Sequence, residues 1–112
     1  MVFDLSKVSG IEDFTDETVS IGEGDDAETV KVYKVETEGE ENAEKAFLVV
    51  RKNTLELRTD EKLRDLLKEK YESVMESRYF GRGGIEIVNS GQLAEDEIND
   101  LVRLSYNLSK EK

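Results

Sequence analysis

The sequence predicts an α+β domain: an antiparallel sheet of about four to five strands backed by two helices, in the order strands, helix, strand, helix. Three observations carry this. Short runs of apolar and β-branched residues recur through the first half, the period changes to that of a helix after Arg58, and a β-branched run at 85–88 precedes a second helical pattern. A length of 112 residues suits one hydrophobic core, so 1–112 reads as a single domain with an acidic, loop-rich N-terminal part.

The strands come first. "VSI" (19–21), "VKVYKV" (30–35), "AFLVV" (46–50) and "TLELR" (54–58) have strand composition, and the last sets Leu55 and Leu57 against Glu56 and Arg58 on opposite faces. The polar link "RKN" at 51–53 makes a hairpin of the last two, and an antiparallel meander of about four strands follows. "GEGDDAET" (22–29) and "ETEGEENAEK" (36–45) are acidic, Gly-containing and without periodicity, as turns between strands are.

Leu63, Leu66, Leu67, Tyr71, Val74 and Met75 then fall on one stripe of an α-helix. Thr59 or Asp60 can cap its first amides, Glu61 suits the positive end of its dipole, and a stop is expected near Tyr79 to Gly81. "IEIV" (85–88) reads as a strand and "NSGQ" (89–92) as a turn. A second helix is expected from Ala94, with Glu95, Asp96 and Glu97 in its first turn and Ile98, Leu101, Val102 and Ser105 facing inward. Leu63, Leu66, Leu67, Val74, Ile98, Leu101 and Val102 are the expected helix side of the core.

Composition excludes much chemistry. Without Cys there is no disulfide, thiolate metal site or cysteine nucleophile, and without His the commonest acid/base group and metal ligand is missing. No spacing nominates a base for a Ser, Tyr or Lys nucleophile, so no enzyme is expected, and neither a cofactor nor a metal site. The acids at 95–97 serve a helix dipole better than a cation. No apolar run marks a membrane span, and "MVFDLSKVSG" lacks the features of a signal peptide, so a cytoplasmic protein is expected.

Charge is uneven along the chain. The net charge is −11, but residues 1–46 carry four Lys against fourteen acids, whereas residues 47–112 carry twelve basic and thirteen acidic groups. From Arg51 to Arg82 nine basic residues face seven acids, so this part can present a positive surface on a protein that is acidic as a whole. Within it "ESRYFGRGGIEIV" (76–88) stands out. A phosphate-binding glycine loop lies between a strand and a helix N-terminus, whereas "GRGG" is read here as following a helix and preceding a strand. Gly81 therefore fits a left-handed residue at a helix end, and Arg82 a contact at the loop tip.

The run from "KAFLVVRKNTLELRTDEKLRDLLKEKYESV" through "GQLAEDEINDLVRLSYNL", Lys45 to Leu108, resembles the MmcQ/YjbR family of small bacterial and archaeal proteins. Lys45 and Phe47 entering one strand, Arg58 closing the next, the Leu-rich helix from Glu61, and the closing Ser105, Tyr106 and Leu108 carry the likeness; "YFGRGGIEIV" occupies the region where many members have a His-Trp-Asn segment. The resemblance implies an antiparallel sheet backed by helices, a secretion-chaperone-like topology described as a double wing, and DNA binding. Tyr106 is expected to pack its ring while its hydroxyl reaches a backbone partner.

Two functions are therefore expected as alternatives. In the first, Arg51, Lys52, Arg58, Arg78, Tyr79 and Arg82 contact DNA weakly and without sequence preference. In the second, the sheet or the "RYFG" corner binds a protein partner. The oligomeric state is open.

Overall fold

The computed structural model describes residues 5, 8–22, 24–37, 43–88 and 92–111. Alternating apolar residues build the strands β1 (Phe14–Ile21), β2 (Glu28–Glu36), β3 (Glu44–Val50) and β4 (Thr54–Arg58), a meander of antiparallel neighbours as expected. The amide of Arg51 donates to the Thr54 carbonyl at 2.9 Å, so Lys52 and Asn53 form the tip of the β3–β4 hairpin. A short turn of 3-10 helix, Gly24–Asp26, lies in the first acidic loop. Of the second acidic loop, residues 38–42 lie outside the described residues, as do residues 89–91 of the expected "NSGQ" turn.

Helix α1 (Glu61–Lys70) starts where the sequence places it, and Asp60 is the cap: its carboxylate accepts from the Leu63 amide at 2.7 Å. Its end differs. The helix stops at Lys70 rather than near Tyr79 to Gly81, and Val74–Ser77 is a fifth strand, β5. Residues 72–77 contain two Ser and one Val, weaker helix formers than the Leu, Lys, Glu and Arg that make up most of α1, and Tyr71 already has extended backbone at φ −126° and ψ 126°. Val74 reaches the core from the strand instead, paired with Ile87, so its spacing from Leu67 reads as helical without being so. Leu66, expected in the core, is 61% exposed.

β5 turns through residues 78–80 into β6 (Gly81–Val88). "GRGG" is thus the beginning of a strand, and Gly81, at φ +63°, serves a strand-to-strand turn rather than a helix end. Helix α2 (Glu95–Lys110) closes the chain, with the expected three acids in its first turn and Ala94 at its cap position. The order is strands, helix, strands, helix, and the sheet has six strands, β1-β2-β3-β4-β6-β5, all neighbours antiparallel.

Both helices pack on one face of this sheet. Leu67 from α1 and Ile98, Val102 and Tyr106 from α2 meet Phe47, Leu48, Leu55, Leu57, Val74, Ile85 and Ile87, with Leu63 and Leu101 partly buried beside them. A bulge feeds this core: Tyr33 pairs with Leu48 but Lys34 with Ala46, leaving Phe47 as the extra residue. The Ser105 hydroxyl repairs the adjoining ladder, accepting from the Arg58 amide at 2.8 Å and donating to the Phe47 carbonyl at 2.5 Å. Ser109 donates to the Ala46 carbonyl at 3.2 Å. The Tyr106 ring stacks edge-on with Phe47 at 5.2 Å, and its hydroxyl donates to the Glu12 carbonyl. The closing Ser-Tyr pair is therefore the seam between helix and sheet.

Candidate binding face

The other face of the sheet has no helix. Alternation fixes its occupants: because Leu55, Leu57, Ile85 and Ile87 point to the helices, Glu56, Arg58, Gly84 and Glu86 point away from them. Glu56 and Glu86 are direct cross-strand partners, and both are fully buried. Two like charges in this arrangement repel, and taking them out of water costs more still, so they require compensation.

Two segments provide it. Arg51, just before the β3–β4 tip, turns inward to 7% exposure and donates from Nε to Glu56; its Nη1 lies 3.3 Å from Glu28. From the β5–β6 turn, the Ser77 hydroxyl and the Tyr79 amide both donate to Oε1 of Glu56, at 2.7 and 2.8 Å. Arg78 grips Glu86 with two bonds, Nε to Oε1 at 3.0 Å and Nη2 to Oε2 at 2.7 Å. Burial alone would raise the pKa of Glu86, but the hydrogen bonds and charge of Arg78, together with Thr54 and the charge of Arg51, outweigh it and hold the carboxyl below its usual range.

Residues 78–80 thus fold over the open face as a cover, and Phe80 completes it. Its ring packs with Val19, Ile21, Val30, Val32, Ala46 and Val49 in a second apolar cluster. Gly84 permits the approach, since a Cβ there would lie 2.4 Å from the Leu57 carbonyl and 2.7 Å from the Cβ of Phe80. The Arg58 guanidinium sits over the Phe80 ring at 5.0 Å, donates from Nε to the Ala46 carbonyl at 3.1 Å, and has its pKa lowered by burial. Tyr79 stacks edge-on with Phe80 at 5.0 Å and remains 40% exposed.

The six residues singled out in the sequence accordingly separate. Arg51, Arg58, Arg78 and Tyr79 come together on the open face, Arg51 from inside it. Lys52 is exposed at the hairpin tip. Arg82 is exposed near α1, where its carbonyl accepts from Arg64 at 2.8 Å. Glu56, Glu86 and Gly84 were not expected at the site, and Phe80 only as part of the "RYFG" corner. The sequence carries a faint sign of the two acids, a Glu between aliphatic residues in both "LEL" and "IEI", but this pattern is shared by any solvent-facing strand position. Among the described residues no cluster of acids has the form of a metal site, and no helix is long and apolar enough to cross a membrane.

No family model and no curated protein matches the sequence. Among solved structures, the fold is similar to the crystal structure of Deinococcus radiodurans protein DR2400, a DUF419 domain, with a TM-score of 0.63 at 15% identity over 81% of this chain and 67% of that one. At that identity the likeness is one of fold alone.

Proposed function

We propose that this chain is a small non-catalytic binding protein of the MmcQ/YjbR type, whose ligand, by that resemblance, is DNA held weakly and without sequence preference. What supports the reading is that Arg58, Arg78 and Tyr79 share the face the helices leave open, two cations beside a ring able to stack on a base. The two carboxylates of that face are held by guanidinium and backbone donors, an arrangement suited to a rigid surface rather than to proton transfer. Lys52 and Arg82, both exposed, extend the positive rim.

A protein partner is the second reading, and a specific observation favours it. Arg51 and Arg78 already carry ion pairs, while Met75, Tyr79 and Val88 are exposed in the same neighbourhood on a chain of net charge −11. Titration of a labelled duplex at low salt separates the two. DNA contact predicts binding that fades steeply as salt rises and weakens when Lys52→Gln and Arg82→Gln are combined. Absence of binding by the wild type leaves the protein partner, and equal binding by that double variant removes Lys52 and Arg82 from the DNA contact.

A further inference from the structure

We propose that the open face contains a subsite for a single oxyanion, a phosphoryl or carboxylate group, seated beside Ala46 and contacted by the Arg58 guanidinium, the Lys34 ammonium and the Tyr79 phenol. It deepens the reading above, resting on it only in taking this face as the ligand-bearing one.

Arg58 differs from its neighbours. Arg51, Arg64, Arg78 and Arg103 each have a carboxylate partner, whereas among the described residues Arg58 and Arg82 have none, and of these two only Arg58 is partly buried. Its Nε is occupied by the Ala46 carbonyl and its flat face by Phe80, but neither Nη donates to any described group. A partly desolvated guanidinium with free donors gains more from an oxyanion than one in water does. Lys34 is directly across from Ala46 in the β2–β3 register, so the short Ala46 side chain stands next to both cations. The Tyr79 ring packs edge-on at 5.0 Å against Phe80, the same ring on which the Arg58 guanidinium lies. A purely structural clamp between β4 and β3 would need only the Nε bond and the ring contact.

Two acids oppose the anion. Glu17 pairs with Lys34 at 2.7 Å, and Glu44, which accepts from the Thr15 hydroxyl at 2.6 Å, also acts on Lys34. The oxyanion must therefore displace Glu17, and removing that charge should strengthen binding.

The test is a nitrogen-15 NMR titration with inorganic phosphate and, separately, with acetate, chloride keeping ionic strength constant. Saturable shifts are expected at Ala46, Arg58 and Phe80, and whichever anion produces them identifies the group. Arg58→Met, which keeps an apolar stem on Phe80, should weaken binding by about tenfold or more, the worth of one charge-assisted hydrogen bond. Glu17→Gln should tighten it, and Arg82→Gln should leave it unchanged. Shifts that rise linearly without saturating, or that persist in a folded Arg58→Met, overturn the subsite. The duplex titration is a separate readout: saturable phosphate binding lost in Arg58→Met supports the subsite even where no duplex binds, and duplex binding without it refutes the subsite while sparing the DNA reading.

Discussion

The two faces of this sheet are buried by opposite means. On the helix face, α1 and α2 cover an apolar layer of Phe, Leu, Ile and Val, and the polar atoms there, such as the Ser105 and Ser109 hydroxyls, meet backbone carbonyls. On the open face a hairpin tip and a three-residue turn cover two carboxylates, and nearly every buried charge is matched by a guanidinium. The first kind of face gains stability from area removed from water and tolerates local repacking. The second gains little net energy from each pair but demands that every partner be present. One face holds the protein together; the other fixes what its surface presents.

The largest expected effects break the faces in different ways. Phe47→Ala on the helix face removes a fully buried ring in contact with Phe14, Tyr33 and Tyr106 and should cost about 3–5 kcal/mol in a denaturant melt. Arg51→Met should cost about 3 kcal/mol or more by stranding Glu56. The difference lies in rescue. Adding Glu56→Leu to Arg51→Met should return much of the loss, because a matched apolar pair can replace a buried ion pair. A double variant as unstable as Arg51→Met alone would mean that the open face depends on the charges themselves.

The same contrast explains what the sequence made legible. The meander, the hairpin at 51–53 and both helix starts follow from periodicity, the Asp60 cap of α1 and the acids in the first turn of α2, local signals that the helix face merely ratifies. The end of α1 was not legible, since Val74 meets the core whether helical or extended and only pairing with Ile87 decides. Nor was the fate of Arg51. Whether an Arg beside a hairpin tip points to water or to Glu56 depends on Glu56 being roofed by residues 77–79, more than 20 positions away. Tyr106 was legible because an aromatic with a polar tip in an apolar helix face has few other roles.

Smaller effects sharpen the boundary between the faces. Gly84→Ala puts a Cβ 2.4 Å from the Leu57 carbonyl of the neighbouring strand and 2.7 Å from the Cβ of Phe80, and should cost about 1–3 kcal/mol by straining the β4–β6 pairing and pushing on the cover. Gly81→Ala, strained by a φ of +63° but in open space, should cost about 1 kcal/mol. Equal midpoints for the two variants would show that the Leu57 strand and the cover over Gly84 both yield freely. Ser105→Ala on the helix side leaves the Arg58 amide and the Phe47 carbonyl without their bridge, for about 1–2 kcal/mol, and Ser105→Thr should recover part of it. No change in Ser105→Ala would mean that the two strands close directly.

The smallest effect belongs to Arg78, and pH gives it a sign. Glu86 is fully buried but its partner's side chain is 60% exposed, so solvent screens the pair and its contribution should stay below about 1 kcal/mol. In the wild type the folded-state pKa of Glu86 lies below the unfolded value of about 4.3, so its stabilisation is present above that pH and is lost as pH falls through the folded pKa. In Arg78→Gln the main counterweight to burial is gone, leaving only Thr54 and the charge of Arg51, so the carboxyl should move up. A group with a raised folded-state pKa gains stability as pH falls from the folded value towards the unfolded one. The difference in stability between wild type and Arg78→Gln should therefore be greatest near neutral pH and shrink as the solution is acidified below about pH 5. Chemical denaturation at a series of pH values measures that difference directly. A gap that stays constant from pH 7 to pH 3 would show that Glu86 does not titrate through Arg78, and that Ser77, Tyr79 and Arg51 suffice to hold the open face closed.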